Sequence, residues 1–177
     1  MKKINSPEFI LVCTMIVAAA FSRLLTNYFQ LWNFTPVIAM ALFSGAQIRD
    51  KRLAFMIPLT SMLITDAFLG FYEGILSVYA ALMMITAFGF LLHNRIKFIP
   101  VLLATLGSSV IFFLVTNFAL IYPSFLYPHT LQGIIASYTA GIPFFKNAVI
   151  GDLIYSGILF GSYELVFKKI RVPAKAM

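Results

Sequence analysis

Four polar side chains interrupt otherwise apolar stretches of this 177-residue sequence, and each is of a type that can do chemistry: Arg23, Asp66, Asn117 and Asp152. Asp66 comes 14 residues after Arg52, the end of the cluster Arg49-Asp50-Lys51-Arg52, and Asp152 comes 16 residues before Lys168. Arg23 follows Pro7 by 16 residues and Asn117 follows Pro100 by 17. On helices these spacings put Asp66 about 21 Å, Asp152 and Arg23 about 24 Å, and Asn117 about 25 Å from one common end. Four such groups in one layer on four helices can orient a small polar molecule. A charged side chain in a membrane helix costs about 2.5 to 3.5 kcal/mol on insertion, so such residues face the bundle interior and mark functional sites. Two rival chemistries use the same residues. Arg23 paired with either acid, with Asn117 satisfying a freed backbone group, would be a polar plug holding the bundle together. Asp66 and Asp152 sharing a proton would be the working pair of an intramembrane aspartyl enzyme.

The elements that position these groups follow from composition. With 61% hydrophobic residues, 11% charged and a mean hydropathy of +0.94, the chain has more apolar surface than a soluble domain can hide, so it reads as an integral membrane protein. Its apolar runs are too long for alternating barrel strands, which makes the class all-α. Six transmembrane helices are expected, near residues 7–25, 33–48, 53–70, 75–92, 100–121 and 144–167, in one domain over 1–177. A soluble protein of net charge +7 would suggest nucleic acid as a partner; here the positive-inside rule accounts for the charge, and membrane lipid is the expected surrounding. Both termini come out cytoplasmic. Eleven of the thirteen basic residues, all but Arg23 and Lys146, then fall on that side, Lys2, Lys3, Lys168, Lys169, Arg171 and Lys175 among them.

The second helix begins at Thr35-Pro36, an N-cap followed by proline at the first helical position, and ends near Ile48. It is too short to span, so Gln30 to Phe34 must be extended and the helix N-terminus sunk beneath the outer surface, which requires protein or a wet cavity beside it. Residues 122–143 form the longest outer loop, with a short interfacial helix over 131–140 capped by Thr130, in the manner of a lid carrying Tyr127 and His129. The outer segments are rich in aromatics, including Tyr28, Trp32, Phe71, Tyr72, Tyr122, Phe144 and Phe145. Such a set fits either an interfacial belt or the wall of a site for a flat ligand. Gly157 with Gly161, and Ala18 with Ser22, have the spacing of close helix packing. The start of the chain resembles a signal peptide, with Ala18-Ala19-Ala20 as its cleavage site, but the apolar run continues to Leu25 and an uncleaved helix is expected. The one cysteine, Cys13, excludes an internal disulfide, and His129 alone does not make a metal site; no metal and no resident cofactor are expected. No P-loop, HExxH or GxSxG motif occurs, so the chain does not hydrolyse nucleotide itself and is read as a non-enzyme.

Asn33-Phe34-Thr35-Pro36, Asp66, Phe112-Phe113-Leu114-Val115-Thr116-Asn117, Tyr127-Pro128-His129-Thr130 and Ile142-Pro143-Phe144-Phe145-Lys146-Asn147 followed by Gly151-Asp152 resemble a family of small bacterial membrane proteins over nearly the whole chain. That family is similar, more distantly, to the substrate-binding S components of energy-coupling-factor vitamin transporters. The resemblance implies an S-component-like bundle in the bacterial cytoplasmic membrane, with a pocket open to the outside and capped by loops. It implies capture of a small organic, vitamin-like substrate, and as partners a coupling-factor transmembrane subunit and its ATPases. His129 could then serve as an axial ligand to a metal that the substrate brings. S components tend to carry an Ala-xxx-Ala pair on the docking face of the first helix, where this chain has Ala18 and Ser22. With the residues the motifs add, the expected substrate site is Arg23, Asn33, Asp66, Asn117, Tyr127, His129, Asn147 and Asp152.

Overall fold

The computed structural model describes residues 6–31, 33–93 and 95–171; Lys2, Lys3, Trp32 and Lys175, invoked above, lie outside the described residues. Six helices follow one another: α1 (Ser6–Tyr28), α2 (Val37–Gln47), α3 (Lys51–Leu69), α4 (Ile75–Gly89), α5 (Phe98–Thr116) and α6 (Leu131–Arg171). Short 3-10 turns cover Phe90–Leu92 and Ala119–Ile121, and no strand occurs among the described residues. Four of these helices are long and apolar enough to cross a membrane: Lys51–Leu69, Ile75–Leu92, Phe98–Thr116 and Leu131–Leu165. Their outward faces carry large apolar side chains such as Phe68, Leu76, Leu103, Ile154 and Ile158, all well exposed. A surface of that kind is made for lipid rather than water.

The core is built around α2. It is apolar all round, and every residue from Val37 to Ala46 is buried, as expected of a helix with no polar face. It packs on α3, α4, α5 and α6, while α1 lies against α3. Eleven residues give a length of about 16 Å, too short to span. Its closest neighbour is α4, where two glycines meet. A Cβ on Gly45 would sit 2.1 Å from the Thr86 carbonyl oxygen, and one on Gly89 2.5 Å from that of Leu42. Only hydrogen fits there.

The turn into α3 is capped by Asp50, whose carboxylate accepts from the backbone N–H of Arg52 (2.8 Å) and Leu53 (3.4 Å). The start of α2 differs from expectation: Pro36 itself is the cap residue, no side chain caps the helix, and Thr35 faces elsewhere. Ahead of it the backbone is irregular, with Gln30 (φ 54°) and Asn33 (φ 58°) in the left-handed region. That region is uncommon for residues other than glycine, and asparagine is among those that tolerate it best. Gln30 and Asn33 are thus not extended as expected, and α2 is entered through turns.

The largest departure concerns α6. Where the sequence suggested an outer loop over 122–143, a short interfacial helix, and a separate span over 144–167, one continuous helix of 41 residues runs through Pro143. Proline removes one hydrogen bond from a helix, but neighbouring contacts can hold the chain in place. Here they come from α5 and its end: Tyr138 donates to the Leu114 carbonyl (2.9 Å), Ser137 donates to the Asn117 carbonyl, and the Phe145 ring lies 4.7 Å from that of Phe113. The helix is about 61 Å long, twice a membrane core. Only residues 117–130 remain between α5 and α6.

Candidate functional site

At the end of the bundle opposite the Asp50 turn, the helix termini leave a cavity of about 580 Å³. All six helices contribute to it. From α1 and the irregular chain after it come Arg23, Thr26, Asn27, Leu31, Asn33 and Thr35; from the end of α3 and its loop, Leu69, Gly70, Phe71 and Tyr72. The α5 terminus supplies Phe112, Phe113, Thr116 and Asn117, and α6 supplies Gly141, Phe144, Phe145 and Ala148, with Tyr122 from the loop between them. The wall is mostly aromatic, with a few convergent polar groups, and its volume is that of a small-molecule site.

Arg23 is the charged residue in this lining. Its Nη1 donates to Asp66 Oδ1 at 2.6 Å and to the Thr65 hydroxyl, and Asp66 is fully buried. Tyr79 of α4 donates to the second carboxylate oxygen, Oδ2, at 2.9 Å. The acid is therefore held behind the cavity wall by α1 and α4, while α3 carries it. Both of these contacts from Arg23 pass through Nη1, and its side chain keeps 15% of its exposure. A guanidinium has five N–H donors. Nε and Nη2 make no hydrogen bond to another described residue.

Asn117 ends α5. Its Nδ2 donates to the Phe113 carbonyl (2.9 Å) and the Thr116 hydroxyl (3.4 Å), and its Oδ1 rests on α6 at Gly141, where a Cβ would come within 2.3 Å. Tyr122 donates to the Thr116 carbonyl at 2.7 Å. Tyr127 and His129 stand behind it rather than in the cavity: the Tyr127 ring packs edge-on at 5.8 Å, and His129 Nε2 lies 3.0 Å from the Tyr122 carbonyl. Burial raises the Tyr122 phenol above its ordinary pKa, Tyr127 adding to the effect. Burial likewise raises Tyr72, with Asp66 adding and Arg23 opposing. Both phenols are thus O–H donors at neutral pH.

Of the eight residues expected in the site, the cavity brings together Arg23, Asn33 and Asn117, with Asp66 directly behind Arg23. Tyr127 and His129 reach it through Tyr122, and Asn147 lies on the exposed side of α6. Asp152 is elsewhere: it is 1% exposed between α5 and α6, accepting from Ser109 at 2.6 Å. No hydrogen bond joins Asp66 to Asp152, as a proton-sharing dyad would require; each has its own partners. Sequence reasoning offered Arg23 as a partner for either acid but missed Tyr79 and Ser109. Tyr79 is the sole tyrosine of α4, whose other polar residues are Ser77 and Thr86, and that was the signal available for it. Ser109 is one of several hydroxyls on α5, most of which bond back to their own helix, so nothing marked it out. Among the described residues no group of three or more His, Cys, Asp or Glu side chains could hold a metal ion.

The comparisons agree in being silent on activity. No curated protein matches the chain, and no solved structure does. Residues 3–175, nearly the full length, match one family's profile, and on that ground the chain belongs to the family of unknown function DUF6580.

Proposed function

We propose that this protein captures a small organic micronutrient from outside a bacterial cytoplasmic membrane, as the first step of its transport inward. One observation carries the reading: a cavity of about 580 Å³, walled by aromatic rings, into which Arg23 turns donors that its own partners leave unused. A structural plug would use the arginine up; here Asp66, Thr65 and Tyr79 fix its position and the free edge faces the cavity. The ligand this suits has a flat apolar body, held by Phe113, Phe144, Phe145 and Tyr72, and at least one hydrogen-bond acceptor for Arg23.

Six spans are part of the proposal, with α1 and the short α2 added to the four helices of sufficient length and apolarity. The basic turns at Arg49 to Arg52 and Arg95 to Lys97 lie at the end away from the cavity, and by the positive-inside rule that end is cytoplasmic. The cavity then opens outward. A coupling-factor subunit with its ATPases remains the partner implied by the distant S-component resemblance, and Tyr127 and His129 would act on the ligand through the position of Tyr122.

The test is native mass spectrometry of the protein purified gently from its own host. A co-purifying small molecule is expected, lost in an Arg23→Met, Asp66→Leu double variant that stays folded. A wild-type protein carrying no mass from any growth condition, or a mass retained by the double variant, would refute the assignment of the site.

A further inference from the structure

We propose that Asp152 is a proton-exchange site, loading from the cytoplasmic side through a second, smaller cavity and buried one helical turn from the lining of the larger one. The first support is what surrounds the carboxyl. The two helices packed on α6 are α5 and α2, and neither Phe98–Thr116 nor Val37–Gln47 contains an ionisable side chain; nor does the Ala119–Ile121 turn. α1 touches α6 through Ser22 and Tyr155, and its Arg23 is committed to Asp66. On α6 itself Lys146 is exposed and six residues away, on another face, while Tyr155, Tyr163 and Glu164 lie toward the basic end. Among the described residues no cation faces Asp152, in contrast to Asp66. A buried carboxylate without a counter-charge is relieved by taking up a proton, and an ionisable residue in that position within a membrane is functional by default.

The second support is the placement of the two cavities. The larger is lined by Ala148, four residues before Asp152 on the same stripe of α6; the smaller, of about 210 Å³, is lined by Ser156, four residues after it. Each step is about 6 Å along the helix. The smaller cavity runs between α5 and α6 past Thr105, Gly157 and Gly161 to Lys97 and Glu164 at the basic end. Its glycines pack on nothing, despite their spacing: a Cβ on either would meet open space. The Ser156 hydroxyl, 2% exposed on this wall, has no hydrogen-bond partner in the protein. A buried hydroxyl in that state calls for water, and the cavity has room for it.

The proton balance is simple. A hydronium on the cytoplasmic side passes its proton through water at Ser156 to the Asp152 carboxylate, leaving water and a neutral acid; release reverses this into water of the larger cavity. Ser109 is placed for both states, since its hydroxyl reaches Asp152 Oδ2 (2.6 Å) and the Thr105 carbonyl (3.2 Å). It can donate to the carboxylate and turn to the carbonyl when the acid keeps its own proton. What the proton drives depends on the transport reading, but the exchange itself does not.

The experiment is infrared difference spectroscopy on the full chain in liposomes, which needs no substrate. The carbonyl stretch of a protonated carboxyl is expected at neutral pH, absent in Asp152→Asn and retained in Asp66→Asn. It should shift on transfer to heavy water. Gly157→Val, which fills the smaller cavity, should slow that shift several-fold, and Ser109→Ala should displace the band without abolishing it. A wild-type protein with no such band, a band that survives Asp152→Asn, or exchange as fast in Gly157→Val as in wild type would each overturn the proposal. A failure here with a ligand still bound at Arg23 would leave the capture reading standing.

Discussion

Asp66 and Asp152 are both fully buried and are satisfied by opposite means, one by a cation and a phenol, the other by a single serine hydroxyl. Removing one partner of a buried ion pair strands the other charge, at a cost of about 3 to 5 kcal/mol. Arg23→Ala should therefore destabilise the protein strongly, read as a fall in melting temperature in detergent. Arg23→Met with Asp66→Leu should recover most of that loss, because apolar replacements of similar volume remove both charges together. That double variant separates the two roles of the arginine: stability should return, and ligand should not. All four polar residues could be picked from the sequence because a charge or amide inside an apolar helix has few neutral explanations. Which acid Arg23 would choose could not be. That choice depends on α1 lying against α3 rather than α6, a packing fact that no count of residues from a helix end contains.

At the scale of the helices, the glycines separate into those that are required and those that are spare. Gly45→Ala should drive a methyl into the Thr86 carbonyl at 2.1 Å and cost about 1 to 3 kcal/mol or more of overpacking. Gly157→Ala, facing open space, should leave the melting temperature unchanged. The sequence was a poor guide, since Gly157 and Gly161 show the spacing of tight packing while Gly89 has no small residue four positions away. Spacing marks a face that can pack, not one that does. The short buried α2 and the cavity beside its N-terminus were legible, because its apolar stretch is too brief to span and Thr35-Pro36 marks where it starts. The continuity of α6 was not. Pro143 and the run of aromatics after it read as a break, and only the contacts of Ser137, Tyr138 and Phe145 with the end of α5 explain why the helix continues.

For the whole molecule, the outward-facing cavity of the proposed function can be tested by labelling. With Cys13 replaced by alanine, a cysteine at Phe125, in the exposed loop at the cavity end, should react with a membrane-impermeant maleimide on intact cells. A cysteine at Lys97 should react only after the membrane is opened. The reverse pattern would turn the cavity inward and make the protein an exporter or a receptor for a cytoplasmic molecule. The length of α6 has a mechanical meaning as well. A single uninterrupted rod, about twice as long as the membrane is thick, forms part of the wall of both cavities. It packs against the buried α2. Any tilt of that rod would alter the walls of both chambers at once, so the two ends of the protein share one moving part.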